Sequence, residues 1–252
     1  MVRSVDFRTW TLLWTLQILV LFLPPFQGPF AVESASFFGA SFLKVPLQDA
    51  QSKTDIYLRF RTHRASAFLF LAAGSSDYCL VVLENGEIQV RINLGAGEAV
   101  LSSTSGLSLN DLLWHELELH RTDADLTLVI DGIHDTYLDI PGRFFELNVK
   151  YGVFIGGVGG FSELFLGNIP NFRGCIDDVL FNGHDILKMA AASSLTDEHN
   201  LFSVTWNCSE EFEALSNQPI SFVDKAIYDL RTYIHVDMKF SKDTWQPTAR
   251  GR

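Results

Sequence analysis

From residue 55 to about residue 160 the chain alternates apolar and polar side chains with period two, and this limits the possible folds more than any other feature. In DIYLRFR, Ile56, Leu58 and Phe60 face one way while Tyr57, Arg59 and Arg61 face the other. EIQVRINL sets Ile88, Val90, Ile92 and Leu94 against Gln89, Arg91 and Asn93. WHELELHR opposes Leu117 and Leu119 to Glu116, Glu118 and His120, and DLTLVIDG opposes Leu126, Leu128 and Ile130 to Thr127, Val129 and Asp131. Successive side chains of a strand point to opposite faces, so each segment predicts a half-buried β-strand.

Turn chemistry separates these strands. Asn85-Gly86, Asp131-Gly132 and Asn182-Gly183 each follow an apolar run, and such pairs supply the positive φ angles of tight hairpins. Only DILKMAAASS, residues 185–194, offers a helical turn or two. Many short antiparallel strands without long helices predict an all-β sandwich or barrel. YGVFIGGVGGFSELFLGN, residues 151–168, resembles a phosphate-cradling loop at first sight. Such a loop needs a helix behind its glycines, whose amides and dipole meet the phosphate. Here Pro170 and Gly174 break any helix that follows, so Gly156, Gly157, Gly159 and Gly160 are expected to shape a sharp exit from a strand.

The chain opens with a different signal. Arg3 and Arg8 flank a charged start, and an almost unbroken apolar run then extends from Thr9 to Phe26. A charged start, a compact apolar segment and small residues at Val32 and Ser34 predict a secretory signal peptide over residues 1–34, with cleavage after Ala35 as the neighbouring alternative. Pro24 and Pro25 argue against an uncleaved anchor. Roughly 215 residues would remain, enough for one sizeable core. The formal charge of −11 argues against nucleic acid or heparin as a generic partner, because no basic field exists to attract phosphate or sulfate. Arg59, Arg61 and Arg64 form the one obvious basic cluster.

Outside the cytosol, cysteines oxidise. Cys175 and Cys208 lie in loop-rich flanks 33 residues apart, and closing that loop is worth roughly 3–4 kcal/mol. Cys79 sits within the strand-like DYCLVVL and is expected to pack as a small free hydrophobe.

Catalytic chemistry is hard to find. HELELH places His115 and His120 five apart on a period-two segment, so they point to opposite faces, whereas a zinc protease needs two histidines four apart on a helix. No G-x-S-x-G and no P-loop lysine is present, and no enzyme activity is expected. Asp77, Asp131, Asp177 and Asp178 stand at turns and strand ends, where single acids mostly serve as caps. Asn207-Cys208-Ser209 is an N-x-S sequon whose middle residue is the disulfide cysteine, so glycosylation at Asn207 competes with oxidation. Ser105-Gly106 lacks a directly preceding acid and is a weak glycosaminoglycan site.

Taken in order, ASFFGASFLKVPL, DIYLRFRT, DYCLVVLENGEIQVRINLG, WHELELHRTDADLTLVIDG, YGVFIGGV and FRGCIDDVLFNG resemble a laminin G-like domain over residues 36–208. The closer likeness is to the amino-terminal laminin G domain of the cell-surface chondroitin sulfate proteoglycans, and CSEEFEA resembles the passage toward a second such domain. The resemblance implies a jelly-roll-like sandwich of two antiparallel sheets, closed near its end by Cys175–Cys208. It also implies that residues 209–252 are a linker and the incomplete start of a second domain, or a disordered tail. Against proteins of that family, large and ending in a membrane span, this chain reads as a truncated product or a short paralogue.

The resemblance further implies a secreted or cell-surface module that binds matrix proteins, growth factors or receptors, without a cofactor. A lectin-like, glycan-binding module is the alternative. Many such domains hold calcium on one rim through two aspartates. Asp77 matches the first; the second falls where this chain has Tyr151 and Gly152, which leaves a weak site. Phe161, Leu164, Phe165, Leu166 and Phe172 crowd a glycine-rich segment, and are expected either to form an exposed contact rim or to plug the sandwich edge.

Overall fold

The computed structural model describes residues 34–193 and 201–213. Fifteen strands make up most of it: β1 (Ser34–Val45), β2 (Asp49–Gln51), β3 (Lys53–Thr62), β4 (Ala67–Ala73), β5 (Tyr78–Glu84), β6 (Glu87–Asn93), β7 (Glu98–Ser102), β8 (His115–Thr122), β9 (Asp125–Ile130), β10 (His134–Asp139), β11 (Leu147–Val149), β12 (Gly152–Ile155), β13 (Arg173–Phe181), β14 (His184–Asp185) and β15 (Leu201–Trp206). One antiparallel path runs β10-β9-β8-β3-β13-β1-β12-β4-β5-β6-β7. β1 belongs to both halves of this path. Its first residues pair with β13 (Phe37 opposite Gly174), and its last pair with β12 (Leu43 opposite Ile155).

The two halves face each other across one core, as a jelly-roll sandwich requires. From β3, β8 and β9 come Ile56, Leu58, Phe60, Leu117, Leu119, Leu126, Leu128 and Ile130; from β4, β5 and β6 come Leu69, Phe70, Cys79, Val81, Val90 and Ile92. Phe70 of β4 meets Phe181 of β13 with ring centres 5.7 Å apart, so the two inner faces interdigitate. The alternation read from the sequence therefore marks the inner face correctly. β4 and β5 depart from it, since every residue from Ala67 to Ala73 is buried. Their second face lies under a loop, described below.

The hairpin pairs behave as their chemistry predicts. Asn85, Asp131 and Asn182 adopt positive φ angles, and their partner strands register across the turns, Glu84 with Glu87 and Phe181 with His184. The helical stretch is Ile186–Ser193, within the segment anticipated. Cys175 and Cys208 are bonded, with Cα atoms 5.5 Å apart. Cys79 is free and buried, and burial pushes its thiol up to about 12.

Packing against β1 continues past Cys208. Phe212, in the short 3-10 turn Glu210–Phe212, is buried against Phe38 at 5.7 Å and covered by the Arg173 guanidinium at 5.4 Å. Residues 209–213 thus belong to the packed domain. The leader (residues 1–33), Ser194 and the tail from residue 214 onward, including the expected second-domain start near Ile220, lie outside the described residues.

Candidate functional site

Two surfaces gather the residues that sequence reasoning singled out. The first is the loop after β12. Gly156 takes φ +72°, and a Cβ there would lie 2.3 Å from the Phe37 ring, so only glycine allows the chain to leave the sheet at this point. Phe172 N–H donates to the Gly156 carbonyl at 2.8 Å and Phe68 N–H to the Pro170 carbonyl at 2.8 Å, fixing the return of the loop. Between these ties the loop lies on the outer face of β4, β5 and β12. Phe165 stacks on Tyr78 at 3.8 Å, and Phe161 on Phe154 at 4.9 Å. Tyr78 donates to Glu98 at 2.5 Å; burial first, and then that carboxylate, push its hydroxyl pKa upward.

The five crowded apolar residues therefore separate. Phe172 is fully buried and edge-on to Phe37 at 6.0 Å, a core residue rather than a rim residue. Leu166 is also buried, beneath the loop. Neither offers surface to a partner, because the loop turns both inward. Phe161 and Phe165 are half-buried, each with one face on the sheet. Leu164 is fully exposed. Two neighbours carried no local signal: the half-buried Phe42 ring lies against Gly159 and stacks at 6.1 Å on the exposed Phe202 of β15. An apolar surface thus runs from Phe202 over Phe42 to the loop.

The second surface is a groove at one end of the sandwich, with a cavity of about 610 Å³. Asp77 forms part of its wall, together with Asp123, Arg143, Phe144, Glu146 and Asn148. Beneath it, the almost fully buried Arg121 donates to the carbonyls of Gln51, Ser52, Asp123 and Phe145 and to Thr54 Oγ1, at 2.6–3.2 Å. Burial lowers its pKa, and these acceptors satisfy the guanidinium while tying β2 and the 143–146 segment to β8. The signal for Arg121 lay in the parity of WHELELHR, where it shares the inward positions of Leu117 and Leu119. His115 shares them too, and is clamped between Asp111 at 3.0 Å and Asp131 at 2.9 Å, whereas His120 points outward.

The groove does not fit calcium as arranged. Asp77 accepts from Ser76 Oγ at 2.9 Å and from Asn148 Nδ2 at 2.7 Å, so an amide donor occupies the carboxylate face where a cation would sit. Calcium takes six to eight oxygens, usually with more than one carboxylate. A second acid is blocked sterically at Gly152. It takes φ +104°, and a Cβ there would lie 2.3 Å from the Val45 carbonyl. Tyr151 instead packs on Phe161 at 5.5 Å. Among the described residues, no group of three or more acids, histidines or cysteines converges on a metal position.

Within the basic cluster, Arg59 alone is paired with carboxylates among the described residues. Arg59 lies 3.4 Å from Glu116 and from Asp177, and Arg61 rests on the Trp114 ring at 4.6 Å. Asn207 is exposed, with φ +77°. Among the described residues, no helix is long and apolar enough to cross a membrane.

Strand order, the double-duty β1, the closing disulfide and the glycine exit from β12 define a laminin G-like domain, and residues 60–184 match the family model described as Laminin G domain. This chain carries such a domain. Its particular likeness is to chondroitin sulfate proteoglycan 4: it is 34% identical to the Rattus norvegicus protein over 181 residues, 71% of this chain and 7% of the relative. Contactin-associated protein 1 of Rattus norvegicus is 30% identical over 213 residues, 79% of this chain and 15% of the relative. The chain therefore spans only a small fraction of these relatives' length. Two solved structures share the fold. The LG4-5 domains of mouse laminin alpha1 give a TM-score of 0.59 at 20% identity, covering 73% of this chain and 51% of that one. The LG1-3 region of laminin alpha2 gives 0.61 at 22% identity, covering 73% and 36%.

Proposed function

We propose that the protein is an extracellular binding module, secreted or displayed at the cell surface, that holds matrix proteins, growth factors or receptors by surface contact without catalysis. In this reading residues 1–34 are a cleaved secretory signal, and the laminin G-like domain runs from about residue 36 to residue 213. The residues beyond act as a linker or the start of a further domain. The observation that carries the proposal is the apolar surface of Phe202, Phe42, Phe161, Phe165 and Leu164, laid over a sheet whose other face is already the core. Exposed apolar surface of this kind marks interaction sites. The test is retention of soluble matrix proteins and growth factors on the immobilised, secreted protein. Leu164→Ser with Phe202→Ser should lose partners that wild type retains while melting normally. Equal retention by both proteins would remove this surface from the proposal.

A lectin-like role is the second reading, favoured by the groove beside Asp77. Its exposed Phe144, flanked by Asp123, Arg143, Glu146 and Asn148, offers the ring face and polar groups that a sugar takes. A glycan array with wild type and Phe144→Ala separates the two readings. Since the groove does not fit calcium, millimolar calcium should leave both the array pattern and the melting temperature unchanged.

A further inference from the structure

We infer that Asn207 is an N-glycan acceptor whose occupancy is decided by a race against closure of the Cys175–Cys208 disulfide. The inference rests on the secretory reading above.

Three backbone groups of the folded tripeptide are tied to β1. Asn207 N–H donates to the Ser34 carbonyl at 2.9 Å. The Asn207 carbonyl accepts from Ser36 Oγ at 2.8 Å, and that same oxygen accepts from Ser209 N–H at 2.8 Å. Ser36 is fully buried, so this clamp lies inside the domain. Between the two clamped residues, Cys208 is bonded to Cys175. A transferase must bend the sequon so that the asparagine amide and the Ser209 hydroxyl meet in its active site, and a chain fixed at three consecutive residues cannot enter it. Glycosylation therefore has to precede folding of this segment.

The Asn207 side chain behaves differently from its backbone. It is exposed, and among the described residues it has no hydrogen-bond partner. A glycan on Nδ2 would displace no contact and would project from the end of β15. The folded state thus forbids attachment yet tolerates the attached sugar. Cys175 precedes Cys208 by 33 residues, so it is already in the compartment when Cys208 arrives, and both reactions can begin at once. In one, the amide nitrogen bonds the anomeric carbon of a lipid-pyrophosphate-linked oligosaccharide, the carbon–oxygen bond to pyrophosphate breaks, and the amide proton leaves to base. In the other, the two thiols pass two electrons and two protons to a disulfide oxidant by exchange.

The test is expression of the full chain in cells with an oxidising secretory pathway. Glycosylation is scored in total lysate by the mobility shift that peptide N-glycosidase removes, so misfolded variants still report. Wild type should be a mixture, Asn207→Gln unshifted, and both Cys175→Ser and Ser209→Thr should move toward the shifted form. Equal occupancy in wild type and Cys175→Ser, or complete occupancy in wild type, overturns the race. Absence of any shift, including in Ser209→Thr, from a chain protected from protease inside membranes overturns the acceptor itself. A chain left accessible to protease overturns the secretory reading and this inference with it.

Discussion

Phe172→Ala puts the assignment of core and surface to a direct test. Sequence reasoning leaves Phe172, with Leu164, either on an exposed rim or plugging the sandwich edge; in the fold it has no exposed surface and meets Phe37 edge-on at 6.0 Å. Truncating a buried phenylalanine costs about 3–5 kcal/mol, the transfer of the ring plus the cavity it leaves. Phe172 N–H keeps its bond to the Gly156 carbonyl, so little backbone loss adds to this. For a domain of this size each kcal/mol lowers Tm by about 2–4 °C, which gives a drop of about 6–20 °C. Leu164→Ser is the control, since a fully exposed side chain should change stability by no more than about 0.5 kcal/mol. Thermal unfolding of the secreted proteins by circular dichroism reads both. A Phe172→Ala protein that melts with wild type, or a Leu164→Ser protein that falls as far, would refute the inward turn of the loop.

Two further predictions concern His115, at the opposite end of β8 from the groove, and Gly152, beside it. Burial disfavours the charged His115 ring, but its hydrogen bonds and charge interactions with Asp111 and Asp131 outweigh this and raise its pKa above 6.5. Its contribution is therefore complete below about pH 6.5 and fades as pH rises through the folded value. The Tm difference between wild type and His115→Gln should be largest near pH 6 and shrink toward pH 8; a difference that grows with pH would be the wrong sign. Gly152→Asp supplies the acid of a two-aspartate calcium rim, yet should lower Tm and gain no calcium-dependent stabilisation, because its Cβ would strike the Val45 carbonyl. A calcium-stabilised Gly152→Asp protein in a melting titration would show that this backbone yields.

Much of the sandwich was legible because a half-buried strand writes its burial into alternate residues, as in Ile56, Leu58 and Phe60. The Asn85-Gly86 and Asn182-Gly183 turns were legible because positive φ strongly selects residue type. The candidate sites were less so. Phe42 and Phe202 lie far apart in the chain, and nothing local says that β15 lays one ring on the other. Residues 209–213 look like an acidic linker, and only the packing of Phe212 under Arg173 makes them part of the domain. The inward positions of His115 and Arg121 were readable by parity, but their partners come from other strands and loops.

The sequence by itself determined the strand periodicity, the turn positions and the family resemblance, because these depend on local geometry or on residue order. Tertiary structure alone decided which glycine-loop residues face the solvent, why position 152 excludes an acid, and how Ser36 clamps the sequon. Each of these is a contact between segments distant in the chain. Close packing allows one arrangement of such contacts, and no local pattern encodes it.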